Sequence, residues 1–194
     1  LVFLFSLFNG FVGDDASQII NNPLVHTYEN ILKFFSGSTF YHGDTGRLYG
    51  LYYKPILSLH HSLVYSIFGP NFTAFHFFQI LFHIINASLL FLLFTSFFDK
   101  SKALILSIVF LVHPINSEAG FYISAAQETL FFLFGTVALL LATKKIIKAH
   151  ILALLTIFFL LSLLSKETGF LFVAVVILYS FIFKRQFFIR LLTA

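Results

Sequence analysis

Residues 72–98 read FTAFHFFQILFHIINASLLFLLFTSFF, and this stretch decides the fold because it contains no Asp, Glu, Lys or Arg. A helix rises about 1.5 Å per residue, so about 20 apolar residues cross the hydrocarbon core of a bilayer. Lipid offers the backbone no hydrogen-bond partners, and the apolar run is unbroken rather than alternating. The stretch therefore predicts a membrane-spanning α-helix.

The whole chain has this character. Of its 194 residues, 59% are hydrophobic and 10% are charged, with a mean hydropathy of +0.94. A soluble domain is about 45–50% apolar and about 25% charged. We therefore expect an all-α, polytopic transmembrane helix bundle of about six spans. The predicted spans are 1–12 (truncated), 72–98, 103–118, 127–143, 149–165 and 169–183.

The remaining composition sets further bounds. Because the chain has no cysteine, it can form neither disulfides nor thiolate metal sites. Its formal charge of +4 is not arranged as a basic stripe among exposed aromatics, so no nucleic-acid partner is predicted. The chain begins inside an apolar run and stops after a basic cluster. We expect a fragment, the N-terminal part of a larger membrane domain covering 1–194.

The charges predict how the helices are oriented in the bilayer. Three alternate loops hold eight of the twelve basic residues, and the positive-inside rule makes these loops cytoplasmic. The eight are Lys100, Lys102, Lys144, Lys145, Lys148, Lys184, Arg185 and Arg190. Seven of the eight acidic residues gather on the opposite, non-cytoplasmic side. These are Asp14, Asp15, Glu29, Asp44, Glu118, Glu128 and Glu167.

The largest predicted loop, residues 13–70, lies on this outer side. Turn signals at Asn22-Pro23 and His42-Gly43-Asp44 divide it. Apolar residues in 24–35 and 56–68 predict short helices lying along the membrane interface.

Several polar groups occur at or near membrane depth, where ionisable groups are costly and usually face a cavity or a partner. Asp14-Asp15 directly follow the first span, and two adjacent carboxylates suit a general base or a metal ligand. The alternative is a solvated start to the loop. His76, Gln79, His83 and Asn86 recur every three or four residues, which places them on one helical face. That face either lines a cavity or bonds helices together.

Two further polar clusters come from the outer ends of later spans. His113-Pro114 precedes Glu118 and Glu128, which either join the Asp14 region or form an ordinary loop. Lys166 either neutralises Glu167 or is free to hold a phosphate, as is Lys54. His60-His61 point about 100° apart on a helix and do not chelate together easily.

In this order the motifs resemble the multi-span glycosyltransferases of the GT-C superfamily, in the branch of the transmembrane and TPR-containing O-mannosyltransferases and their prokaryotic relatives. The residues that carry the resemblance run from about Phe11 to Gly169. They are Phe11-Val12-Gly13-Asp14-Asp15, Asn21-Asn22-Pro23, Tyr53-Lys54-Pro55-Ile56, Asn71-Phe72-Thr73-Ala74-Phe75-His76, Leu81-Phe82-His83-Ile84-Ile85-Asn86-Ala87, His113-Pro114-Ile115-Asn116-Ser117-Glu118-Ala119 and Ser165-Lys166-Glu167-Thr168.

The resemblance implies an enzyme that transfers a sugar from a polyprenyl-phosphate donor to a protein or glycan acceptor on the outer face, with inversion. Asp14 or Asp15 would deprotonate the acceptor hydroxyl. The remaining candidates for binding donor phosphate or substrate are Lys54, Lys166, His76, His83, His113, Glu118, Glu128 and Glu167. No cofactor is certain; Mg²⁺ or Mn²⁺ held by Asp14 and Asp15 is the alternative role for this pair.

Two departures from the family pattern affect specificity. Lys54-Pro55 replaces the usual Arg-Pro, which keeps the charge but loses the bidentate fork. Ala125-Ala126-Gln127-Glu128 lacks the arginine that commonly follows the His-Pro motif. The expected location is a prokaryotic plasma membrane rather than the endoplasmic reticulum, with the first loop extracytoplasmic.

A polytopic transporter or proton-relay protein is the alternative function, since it would also line a cavity with His, Gln, Asn and Glu. Transporters more often place charge near the membrane midplane and are built of inverted halves. Here the acids lie near the outer ends of spans, and no repeat is detected. The charge distribution therefore favours the transferase.

Overall fold

The computed structural model describes residues 3–43, 47–144 and 148–184. Asp44, Lys145, Arg185 and Arg190, used above to predict sidedness, lie outside these residues.

Eight α-helices, several short 3₁₀ or π-helical turns and one β-hairpin make up the regular structure of the described residues. The helices are α1 (Ile31–Phe34), α2 (Pro55–Phe68), α3 (Phe72–Phe94), α4 (Lys100–Val112), α5 (Ser117–Phe121), α6 (Ala126–Thr143), α7 (Ala149–Ser165) and α8 (Phe170–Phe183). Strands β1 (Phe40–His42) and β2 (Arg47–Tyr49) pair antiparallel, with Phe40 opposite Tyr49. The hairpin is a small departure from the expected all-α class.

Two helical segments are long and apolar enough to cross a membrane by themselves. They are Phe72–Phe94 and Ile123–Thr143. A third candidate joins Lys100–Val112 to Pro114–Phe121 through a bend of 47°. Ala149–Ser165 and Glu167–Phe183 are shorter apolar helices. The described chain is thus a mostly helical membrane protein with two or three candidate spans, fewer than the six expected.

The helix boundaries follow from local chemistry. The side chain of Asn71 accepts a hydrogen bond from the Ala74 N–H at the start of α3, and Asp99 caps α4 through the Lys102 N–H. Pro55 occupies the first turn of α2, where its missing N–H costs nothing. Pro114 follows α4 and causes the bend, because proline cannot continue the hydrogen-bond ladder.

The N-terminal segments differ most from expectation. Instead of a truncated span over 1–12, the described residues form a 3₁₀ helix at Leu4–Phe8 and then irregular chain. This segment packs on the bundle, since the Thr73 hydroxyl donates to the Leu7 carbonyl. The interfacial helix expected at 24–35 is a series of short turns that ends in α1. The helix expected at 56–68 is α2.

The helices run back and forth between two ends of the bundle. Gln79 of α3 donates to the Tyr122 carbonyl, and Asn86 of α3 donates to the Thr129 carbonyl, so α3 and α6 are parallel. The His83 ring bonds the Leu111 carbonyl, which makes α4 antiparallel to α3. Lys100 and Lys144 therefore lie at the opposite end of the bundle from Tyr122.

Polar side chains lie inside the bundle and large apolar ones outside. His76, Gln79, His83 and Asn86 are each at most 3% exposed, so the polar face of α3 points inward as predicted. By contrast Leu171, Leu178 and Ile105 are about 60% exposed. This arrangement inverts that of a soluble protein and matches a surface solvated by lipid.

Candidate active site

A cavity of about 380 Å³ opens at the end of the bundle where α3 and α6 begin. Its walls come from four parts of the chain: the turn after the first segment, the hairpin region, the α5–α6 connection and the turn before α8. The lining residues are Asp14, Gln18, Phe40, Tyr52, Lys54, Glu118, Tyr122, Ser124, Ala125, Gln127, Glu128, Lys166 and Glu167. Six of the ten residues predicted from sequence line it.

Asp14 and Asp15 have opposite environments. The Asp15 side chain is fully buried, and its Oδ1 accepts hydrogen bonds from both the backbone N–H and the hydroxyl of Ser124. Its Oδ2 accepts the Val12 N–H at 2.9 Å. Asp14 is exposed on the cavity wall, and its carboxylate has no hydrogen-bond or ion-pair partner among the described residues. Of the pair, only Asp14 is placed to take a proton from a ligand.

Tyr122 and Gly13 fix the backbone that carries Asp14. The Asp14 N–H donates to the Tyr122 hydroxyl at 2.7 Å. Gly13 has φ +54°, and a Cβ there would lie 2.9 Å from that same hydroxyl, so glycine is required. Burial is the main cause that raises the pKa of Tyr122, and the nearby Asp14 and Asp15 charges add to it. The phenol is therefore a neutral positioning group.

The two cations of the cavity differ in availability. Lys166 forms an ion pair with Glu128, and not with Glu167 as one sequence hypothesis had it. Lys54 is 9% exposed and lies 4.5 Å above the centre of the Tyr52 ring. No carboxylate of the described residues is within ion-pair distance of it. Lys54 thus keeps its donors free for a ligand.

Burial lowers the pKa of Lys54, because the desolvated ammonium loses its hydration. The Glu167, Glu128 and Asp14 charges act in the opposite direction, and Lys166 adds to the lowering. A ligand phosphate at this position would favour the charged form of Lys54, and the attraction would be strong because the ammonium is desolvated.

Four predicted site residues lie outside the cavity. The carboxylate oxygens of Asp15 already accept hydrogen bonds from Ser124 and Val12. His76 and His83 are buried between helices, where the His83 ring packs against Phe3 and Phe110. His113 caps the turn after α4, its Nδ1 accepting the Ile115 N–H. The sequence left open whether His76 and His83 line a cavity or bond helices together, and in the structure both are buried and neither is in the cavity lining.

Divalent metal binding by the aspartate pair does not fit this geometry. A shared ion needs oxygens of both carboxylates, yet Asp15 already accepts three hydrogen bonds and points away toward Ser124. Within 3–43, 47–144 and 148–184, no three His, Asp or Glu side chains are grouped to hold an ion.

Two lining glutamines, Gln18 and Gln127, were not selected from the sequence as site residues. Neutral amides carry no charge pattern that would distinguish them. The spacing of Gln18 four residues after Asp14 was the available signal, since it places both on one side of a helical turn.

The described residues thus form a bundle of apolar helices with a charged cavity at one end. The family model "Dolichyl-phosphate-mannose-protein mannosyltransferase" matches residues 54–192, most of the chain, and the chain belongs to that family of membrane glycosyltransferases. The O-mannosyltransferase branch suggested by the motifs is thereby confirmed. The transporter alternative is not favoured.

Individual relatives agree with the family. The chain is 28% identical over 188 residues to a protein O-mannosyl-transferase of Caenorhabditis elegans, covering 95% of this chain and 27% of the relative. It is 28% identical over 140 residues to the protein O-mannosyl-transferase TMTC3 of Mus musculus, covering 72% and 15%. The human TMTC3 protein is 27% identical over the same length. No solved structure matches significantly.

The chain spans about a quarter of the nematode relative and less of the mammalian ones. All three relatives are animal proteins, so they lend no support to the expected prokaryotic plasma membrane.

Proposed function

We propose that this chain forms a glycosyltransferase site that activates the acceptor and holds the phosphate of the donor. The enzyme transfers a sugar, mannose by the family description, from a polyprenyl-phosphate donor to an acceptor hydroxyl on the non-cytoplasmic side. The observation that supports this most is the shared cavity of Asp14 and Lys54, one an unpartnered carboxylate and the other an unpaired, buried cation.

Each group has one task in this reaction. The acceptor oxygen attacks the anomeric carbon of the sugar while its proton passes to an oxygen of Asp14. The bond between the anomeric carbon and the phosphate oxygen breaks, and polyprenyl phosphate leaves with its electron pair. Attack from the face opposite the phosphate inverts the anomeric configuration.

Lys54 faces the charge that grows on the leaving phosphate. An ammonium held in place before the reaction stabilises that charge without reorganisation. Lys166 and Glu128 neutralise one another beside it, which leaves the cavity with acids Asp14, Glu118 and Glu167 as acceptors for hydroxyl groups.

The charge pattern supports the side assignment. The cavity lies at the end of the bundle opposite Lys100 and Lys102, the end that the positive-inside rule places away from the cytoplasm. A polyprenyl phosphate with its tail in the bilayer would approach this end along the exposed apolar surface.

Substitution of Asp14 tests the proposal in the complete protein. In proteoliposomes containing radiolabelled polyprenyl-phosphate mannose and a Ser/Thr peptide, we expect Asp14→Asn to lower kcat at least about 100-fold, because a general base contributes about 10²–10⁴. The KM for the donor should change little. Asp99→Asn is the matched control, since Asp99 caps α4 at the other end and asparagine caps equally well.

Asp15→Asn should behave differently in the same assay. An amide cannot accept hydrogen bonds from all three donors that now bind Asp15. We therefore expect Asp15→Asn to lower the free energy of unfolding by about 1–3 kcal/mol. Full transfer by Asp14→Asn, or no transfer by the wild type from any polyprenyl-phosphate sugar, contradicts the proposed function.

A further inference from the structure

Gln18 lines the cavity and carries a buried hydrogen-bond acceptor that has no partner. The side chain is 5% exposed, and its Oε1 has no partner. The backbone around it is firmly held: the Gln18 N–H donates to the Asp14 carbonyl at 2.9 Å, and the Gln18 carbonyl accepts from Asn22 Nδ2 at 3.2 Å. The turn therefore places Gln18 in the lining of the same cavity as Asp14.

Gln127 does the same from the other wall. It lies in the first turn of α6, next to the Glu128 that pairs with Lys166. Its Oε1 is also buried and without a partner. Two elements distant in sequence thus place two glutamines with unpartnered amide oxygens in the lining of one cavity.

Packing alone does not account for this pair. A buried polar atom without a partner is destabilising, and most such atoms in folded proteins are hydrogen-bonded. Gln79 also has an unpartnered Oε1, but its Nε2 donates to two carbonyls that join α3 to the α5–α6 connection. Neither Gln18 nor Gln127 makes such a side-chain bond to another described residue, so their amides have no structural use.

The chemistry of the missing partner follows from the acceptor atoms. A carbonyl oxygen accepts hydrogen bonds and needs a ligand that donates them. A phosphate diester offers only acceptors, so it cannot pair with these two oxygens. The hydroxyls of a sugar ring donate, and small-molecule sites orient ligands through a few such polar groups.

We propose that Gln18 and Gln127 bind hydroxyl groups of a sugar in this cavity and so select it. The inference rests on the proposed function. The sugar is the one on the lipid donor, because Gln18 and Gln127 share the cavity with Lys54. A glycan acceptor offers the same chemistry, and the assay separates the two sources.

The test compares Gln18→Met and Gln127→Met with the wild type, using polyprenyl-phosphate mannose and its 2-, 3-, 4- and 6-deoxy analogues. Methionine keeps the length and removes the amide. We expect each variant to raise the donor KM about 5–10-fold, the effect of one neutral hydrogen bond. One deoxy analogue should be a poor donor for the wild type and as good as the parent for the variant. Asn21→Leu removes an exposed amide nearby and should change neither value.

Different results contradict the donor-sugar assignment, the whole inference or the proposed function. A change confined to the KM of a glycan acceptor overturns the assignment to the donor sugar. Unchanged KM and unchanged discrimination among the deoxy analogues overturn the inference while transfer itself persists. Loss of all transfer in the wild type instead contradicts the proposed function. If a methionine variant does not fold, Gln→Asn at the same position takes its place, because the shorter side chain moves the amide back. This variant is compared with the wild type on the same deoxy analogues.

Discussion

At the scale of single residues, side chains that look alike in the sequence have different surroundings at the cavity. Asp14 and Asp15 are adjacent carboxylates, but the fully buried Asp15 joins two parts of the chain through its hydrogen bonds, whereas the exposed Asp14 lines the cavity. Lys54 and Lys166 both line the cavity, yet of the two only Lys166 forms an ion pair with a carboxylate of the described residues. Charge identifies such groups, whereas contacts distinguish them.

The lowered pKa of Lys54 predicts how donor binding depends on pH. Burial lowers the pKa of this ammonium, so its charge, and with it the affinity for a donor phosphate, is lost as the pH rises through that lowered value. An arginine stays charged because its pKa is above about 12. We expect Lys54→Arg to move the alkaline limb of kcat/KM for the donor to higher pH, measured between about pH 7 and about pH 10.

Lys33→Arg serves as the control, since Lys33 is exposed and does not line the cavity. An alkaline limb that stays in place in Lys54→Arg would show that another group governs it.

The sequence predicted most of the cavity residues but could not choose between the aspartates. Six candidates reached the cavity because charged side chains near the outer ends of spans converge there. Asp15 was indistinguishable because its burial depends on Ser124, 109 residues away. The three predicted histidines lie outside the cavity lining, and the sequence could not show this because an imidazole can equally well bind a ligand or pack between helices.

At the scale of elements, the turns between helices matter as much as the helices. Apolar run length predicted α3, α6, α7 and α8 closely. It was wrong for residues 1–12 as one helix, because Leu4–Phe8 packs as a 3₁₀ turn against the bundle. The turn between α7 and α8 carries Lys166 and Glu167 into the cavity, and its tight geometry depends on Gly169.

A substitution at Gly169 tests the dependence on this turn. A Cβ there would lie 2.6 Å from the Ser162 carbonyl carbon and 2.7 Å from its oxygen, and backbone cannot move aside as a side-chain tip can. We expect Gly169→Ala to destabilise the protein by about 1–3 kcal/mol in detergent unfolding. Transfer should fall as well, because Lys166 and Glu167 shift.

Gly10→Ala is the comparison, since a Cβ at Gly10 meets nothing within 4 Å. Equal stability of the two variants would show that the turn can relax and that the close approach is unimportant.

At the scale of the whole molecule, the two ends of the bundle carry different charge. The cavity gathers acids where α3 and α6 begin, while Lys100, Lys102, Lys144 and Lys148 lie at the other end. This separation was predictable from the positive-inside rule, because loop charge follows from sequence alone. The path of residues 13–55 was not, since it depends on contacts with α2 and the α5–α6 connection.

Labelling tests the orientation directly. The chain has no native cysteine, so Lys33→Cys and Lys102→Cys each introduce a single thiol into it. Both positions are exposed. In intact cells or sealed vesicles, a membrane-impermeant maleimide should label one of the two and reach the other only after permeabilisation. Labelling of both from one side contradicts the orientation.

The contact between Asp15 and Ser124 has a consequence for how the protein is made. A ribosome adds about 5–20 residues per second, so Ser124 is synthesised roughly 5–20 s after Asp15. During that interval the Asp15 carboxylate lacks the partner that holds it, and α3 and α4 are translated before the cavity can close. The Asp15 contact is therefore completed only after α3 and α4 have been synthesised.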